Sequence, residues 1–203
     1  MQAVQNPLKT EKVSKLLRTF AIPSIIAMLV SALYNIVDQV FIGWSIGALG
    51  NAATNVAFPL TTICIAIALM FGIGGASAFN LTMGEGDAKR AAFYVGNAIS
   101  MLVICGVVLC IVAHLFLTPM LRFFGSTQDI LGYAKTYTAI TAFGFPFLIL
   151  ATGGGHLIRA DGSPRFTMTC NLVGAIINLI LDPIFIFGFH WGMAGAALAT
   201  ILG

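Results

Sequence analysis

The chain has 203 residues, of which 59% are hydrophobic and 8% charged, and its formal net charge is +3; an ordinary soluble domain carries about 25% charged residues. A mean hydropathy of +0.97 leaves too little polar surface to cover a water-facing globule, which excludes a soluble enzyme and makes lipid the main solvent. At about 20 residues per helical crossing, this length holds roughly five or six spans with no large catalytic domain beside them.

Charged residues cluster, and the gaps between clusters predict the crossings. Residues 1–16 carry Lys9, Lys12 and Lys15 and are expected to form an N-terminal segment outside the membrane. From Thr19 to Gly84 the only Asp, Glu, Lys or Arg is Asp38, a stretch long enough for two crossings. It divides at Gly43 to Asn51, where turn-forming glycines and Trp44 predict a short loop at the membrane surface. The first span is therefore expected near 17–42 and the second near 55–79. The third falls near 91–117, the fourth near 135–158 and the fifth near 166–189. A sixth apolar segment, 193–203, holds eleven residues, too few to cross, so the chain is expected to stop inside its sixth helix. The predicted fold is an all-α, polytopic membrane bundle.

Orientation follows from the short loops. With the N-terminus in the cytoplasm, the inner side holds Lys9, Lys12, Lys15, Arg18, Lys89, Arg90, Arg159 and Arg165, and the outer side only Arg122 and Lys135. The positive charge is thereby accounted for without nucleic acid, because it is spread over separate loops. A cleaved signal peptide is not expected, since the first span is too long and lacks a small-residue cleavage pattern. Cys64, Cys105, Cys110 and Cys170 fall inside apolar spans as small hydrophobes, and His114, His156 and His190 are scattered without metal-ligand spacing. Gly72-Ile-Gly-Gly and Gly153-Gly-Gly follow no predicted strand, so helix packing explains them better than nucleotide binding.

Two acids remain inside spans, where an ionisable group is a functional site by default. Asp38 lies five residues before Gly43 and Asp182 six before Gly188; at about 1.5 Å per residue both sit roughly 7 to 9 Å below the outer end of their helices. Asn178 precedes Asp182 by four residues and Asn35 precedes Asp38 by three, which puts an amide one turn deeper beside each acid. Thr200, eight residues into the inward sixth segment, reaches a similar level. Carboxylate, amide and hydroxyl groups at one depth predict a site for a hard cation, or for a proton shared between the acids. The competing expectation, each Asp satisfied separately near its helix end, accounts less well for the shared depth. A faint internal repeat supports the pairing: Leu29-Val-Ser-Ala-Leu-Tyr-Asn-Ile-Val-Asp aligns with Leu172-Val-Gly-Ala-Ile-Ile-Asn-Leu-Ile-Leu-Asp once one residue is inserted, and transporters place ion sites at repeat interfaces.

Several stretches resemble the N-terminal half of a multidrug and toxic compound extrusion (MATE) transporter of the bacterial DinF-like and MepA-like branch. They are Ile22-Pro-Ser, Ala32-Leu-Tyr-Asn-Ile-Val-Asp-Gln-Val-Phe-Ile-Gly, Gly84-Glu-Gly-Asp-Ala-Lys-Arg-Ala, Arg159-Ala-Asp-Gly-Ser-Pro-Arg, Asn178-Leu-Ile-Leu-Asp-Pro-Ile-Phe-Ile-Phe-Gly-Phe and Gly192-Met-Ala-Gly-Ala-Ala-Leu-Ala-Thr. The resemblance implies the first six-helix lobe of a twelve-helix antiporter that exports organic cations and amphipathic drugs in exchange for H+ or Na+. It implies a cation site at Asp38, Asn178, Asp182 and Thr200, with no cofactor or metal beyond the coupling ion. Pro23 matches a proline associated with helix bending, and Tyr34 and Asn35 are expected to line the substrate path. The implied surroundings are a bacterial plasma membrane, drug-like cations and a second lobe from the same polypeptide, with no nucleic acid. A lipid or lipid-linked sugar flippase is the alternative, weakened by the lack of Lys or Arg within any span. An intramembrane aspartyl protease fits less well, because Asp182 stands in Leu-Asp-Pro rather than in a Tyr-Asp or Gly-x-Gly-Asp setting.

Overall fold

The computed structural model describes residues 13–203, so Lys9, Lys12 and most of the predicted N-terminal segment lie outside the described residues. Helix α1 runs Val13–Ile46, α2 Ala48–Gly84 and α3 Ala88–Leu115; a short α4 spans Leu117–Phe123, α5 runs Gln128–Ala160 and α6 Pro164–Pro183. A π-helical turn, Ile184–Gly188, continues α6, and α7 covers Gly192–Leu202. Among the described residues five helices are long and apolar enough to cross a membrane, and α7 is a shorter apolar helix. The fold is the expected all-α membrane bundle.

The links Gly47, 116–127 and 189–191 gather at one end of the bundle, where Ile42, Ala53, Leu121, Ala134, Ile186, Met193 and Ala196 form a buried cluster. At the opposite end are the turns around Gly86 and Gly162. Asp87 caps α3 by accepting from the Arg90 backbone N–H at 3.0 Å, and Pro164 opens α6 where its missing donor costs nothing.

The loop expected over Gly43 to Asn51 is absent: α1 stays helical to Ile46 and α2 starts at Ala48, with Gly47 alone between them. Gly47 takes φ 82 and ψ −161, a region open essentially to glycine. The other glycines of this run serve close packing. A Cβ on Gly50 would fall 2.9 Å from Ile42 Cγ2 and from Ile46 Cβ, and one on Gly43 3.1 Å from Asn51 Nδ2. Gly47→Ala meets no atom within 4 Å, so its expected cost is purely conformational, about 1–3 kcal/mol, read as a lowered melting temperature of purified protein. An unchanged melting temperature would show that the elbow relaxes.

Two other boundaries differ from expectation. The fourth crossing begins at Gln128 rather than near 135, with Asp129 in its first turn to oppose the helix dipole. The third breaks at Phe116 and is followed by α4, a short helix that charge spacing does not reveal.

Helices α2, α3 and α5 form the tightest unit, around Leu60, Cys64, Ala68, Leu102, Phe145 and Ile149. Small residues let their backbones meet. A Cβ on Gly72 would stand 2.7 Å from the Gly153 backbone, and one on Gly106 2.7 Å from Pro146 Cα. Both glycine motifs are thus helix-packing devices, as expected. Pro59 and Pro146 lie inside continuous helices. Pro23 falls within α1, but its side chain is outside those described. Helix α1 packs mainly on α6, and α7 bridges α6 to α5.

Candidate ion site at the crossing of α1, α6 and α7

Asp38 faces inward from α1 with 7% of its surface exposed, while on α6 Asp182 is fully enclosed and Asn178 is 3% exposed. Spacing explains the α6 pair: four residues advance a helix by about 400°, which returns the side chain to the same face one turn on. The two carboxylates lie within electrostatic reach of each other. Asp38 and Asp182, read from sequence as sharing a depth, therefore form one group.

Their hydrogen bonding is incomplete. Asp38 Oδ1, both carboxylate oxygens of Asp182 and both amide atoms of Asn178 are buried without a protein partner. Buried polar groups are normally paired, and leaving one unpaired costs about 1–3 kcal/mol. Five such atoms on three adjoining side chains form a donor set rich in oxygen, the chemistry that suits a hard cation or, with two carboxylates, a shared proton.

Tyr34 and Tyr137 complete the surroundings. Tyr34 precedes Asp38 by four residues, lies half-buried beside it, and interacts with both acids. Tyr137, half-buried on α5, senses both acids, and its hydroxyl reaches the side chain of Thr200. Thr200 itself is exposed and donates to the Ala196 carbonyl at 2.9 Å. It joins the cluster at its rim, through Tyr137. Asn35 is exposed as well, because three residues advance a helix by only about 300° and leave it off the Asp38 face. Tyr34 thus stands toward Asp38 as Asn178 stands toward Asp182, a correspondence that the repeat alignment concealed.

Beyond the acids, toward the Gly47 end, Ile42 and Ile186 each follow their acid by four residues and are buried. They separate the acids from a cavity of about 340 Å³ lined by Ser45, Ile46, Tyr133, Ile186, His190 and Gly192. Pro183 cannot donate a backbone bond, and the wider π turn follows it, closing through Phe189 N–H to the Ile184 carbonyl at 2.9 Å. Gly195 admits this turn: a Cβ there would lie 2.9 Å from the Phe185 carbonyl. Charge spacing alone missed Tyr137, along with Gln39 and Thr54, whose hydroxyl donates to Gln39 Oε1 at 3.0 Å; polar but uncharged residues leave no gap in a charge map.

Comparison with known proteins agrees with this arrangement. Multidrug export protein MepA of Staphylococcus haemolyticus is 28% identical over 188 residues, 93% of this chain and 42% of that protein. The MATE multidrug transporter DinF-BH, solved as a ligand complex, superposes with a TM-score of 0.92 at 37% identity, over 100% of this chain and 45% of that one. An outward-facing multidrug resistance MATE family transporter of the MOP superfamily gives 0.85 at 28% identity, over 92% of this chain and 41% of that one. The chain thus spans less than half the length of these relatives. The MatE family model matches residues 23–184, from the first crossing to the residue after Pro183, and with the helical lobe and its buried acid pair this places the chain in the MatE family of multi-pass membrane proteins.

Proposed function

We propose that the chain is the N-terminal lobe of a multidrug antiporter, which exports amphipathic organic cations in exchange for inward H+ or Na+ and works with a second lobe of the same polypeptide. The observation that carries this reading is the group of Asp38, Asp182 and Asn178, buried in membrane helices with five polar atoms that no protein group satisfies. Intramembrane acids of this kind are costly and mark ion pathways. The matched relatives are named as export proteins and transporters, not enzymes.

Coupling requires that the ion bind one conformation better than the other. In this reading the pair Asp38 and Asp182 supplies that difference, Asn178 adds an amide, and Thr200 with Tyr137 forms the edge of the site. Tyr34 and Asn35 border the drug path, and Pro23 is the place where α1 bends. The Lys and Arg bias of the loops orients the N-terminus toward the cytoplasm of a bacterium, with the Gly47 end outside.

Proteoliposomes containing the full-length protein test the reading. Ethidium efflux is expected to accelerate several-fold when either an inward pH gradient or an inward Na+ gradient is imposed, and to return to the passive rate when an ionophore collapses it. Efflux indifferent to both gradients would overturn ion-coupled export.

A further inference from the structure

The Thr54 hydroxyl on α2 lies 3.0 Å from Gln39 Oε1 and 2.9 Å from the Asn51 carbonyl oxygen, and Gln39 Nε2 lies 3.5 Å from Asp38 Oδ2. Asp38 and Thr54 are both 7% exposed. A threonine hydroxyl has one hydrogen to give, and a glutamine side chain has one donating and one accepting end. These groups therefore admit two complete hydrogen-bond patterns. With Asp38 ionised, Gln39 Nε2 donates to Oδ2 and Thr54 donates to Gln39 Oε1. With a proton on Oδ2, the acid becomes the donor, and the amide turns over so that Oε1 accepts from it. Nε2 then donates to Thr54 Oγ1, and the Thr54 hydrogen moves to the Asn51 carbonyl. The switch needs an amide flip and a hydroxyl rotation, without displacement of either helix.

We propose that Gln39 and Thr54 are positioning residues that form a two-state relay, carrying the protonation state of Asp38 from α1 to the first turn of α2. The relay rests on the reading of Asp38 as a coupling acid and extends it. Other groups also face Asp38: Asp182 from α6, Tyr34 from α1 itself and Tyr137 from α5. None of these bridges to α2. The relay ends at Asn51, whose side chain lies against Gly43 beside the elbow at Gly47, so the charge on one acid is felt where two crossings join.

Infrared titration of the protonated-carboxyl stretch in the full-length protein, with the Asp38 band assigned by its loss in Asp38→Asn, reads this proton whichever ion drives transport. Gln39→Met removes a donor to the ionised form and is expected to move the midpoint to higher pH by about half a unit to one unit. Thr54→Val is expected to shift the midpoint with Gln39 present and to have no effect on a Gln39→Met background, because Thr54 acts through the amide. Thr54→Ser keeps the hydroxyl and is expected to titrate as the unmodified protein does. The relay is overturned by an unshifted Gln39→Met, by a Thr54→Val effect equal in both backgrounds, or by no Asp38 band across the range in which the protein stays folded. Gradient-driven efflux that survives Asp38→Asn would instead remove Asp38 as a coupling acid, a separate failure from that of the relay.

Discussion

Asp182→Asn is expected to abolish acceleration of efflux by an ion gradient while leaving the protein folded. Asp182 is fully enclosed, and neither of its oxygens is held by a protein donor. Asparagine keeps the volume and removes the charge, so no protein hydrogen bond is broken and an unpaired buried carboxylate is eliminated. Removing such a charge is neutral to stabilising, and the melting temperature is expected to match or exceed that of the unmodified protein. Transport behaves oppositely. Coupling free energies are typically 1–3 kcal/mol, about 5- to 150-fold in affinity, and an ion that no longer distinguishes two states shifts neither. Gradient-driven efflux in proteoliposomes is therefore expected to fall by about tenfold or more toward the passive rate. Asp38→Asn is expected to act in the same direction. If both variants kept the unmodified gradient response, the ion site would lie elsewhere.

A second large effect is expected at the crossing of α2 and α5. A Cβ on Gly72 would lie 2.7 Å from both Cα and the carbonyl oxygen of Gly153, contacts with backbone that no rotamer change relieves. Gly153 in turn faces Leu102 of α3, with the Leu102 Cδ2 2.5 Å from where its own Cβ would be. Gly72→Val pushes three helices apart at once, and its expected cost is about 3 kcal/mol or more, at the upper end of overpacking substitutions. The measurement is thermal unfolding in detergent, where a melting temperature near that of the unmodified protein would mean that the helices separate at little cost. Gly74, with no atom within 4 Å of a Cβ, is the control: Gly74→Val is expected to leave the melting temperature near its original value.

Five crossings and the acid pair were legible in the sequence because lipid penalises charge, so the two intramembrane acids stand out against long uncharged gaps. Uncharged detail was less legible. The glycines from Gly43 to Gly50 suit a loop by composition, but what they do depends on Ile42, Ile46 and Asn51, which fold back against them. Asn35 shows the limit of pairing residues by kind: a shift from four residues to three turns it out of the site, while Tyr34 takes the inward position. The start of α5 at Gln128 was hidden because Lys135 marks the end of a hydrophobic gap, and helices extend past the lipid they cross. The π turn after Pro183 depends on where Gly195 allows α7 to approach, which only tertiary contact decides.

The single-residue elbow at Gly47 limits how α1 can move. One residue spans at most about 3.6 Å, leaving no slack between the two helices it joins. Helix α1 cannot slide along its axis like a piston without dragging α2, and α2 is locked to α5 at Gly72 and Gly153. Any change of state at Asp38 must therefore be expressed as bending or rotation of α1 about a fixed end, so that the far half of the helix swings while the Gly47 end stays anchored.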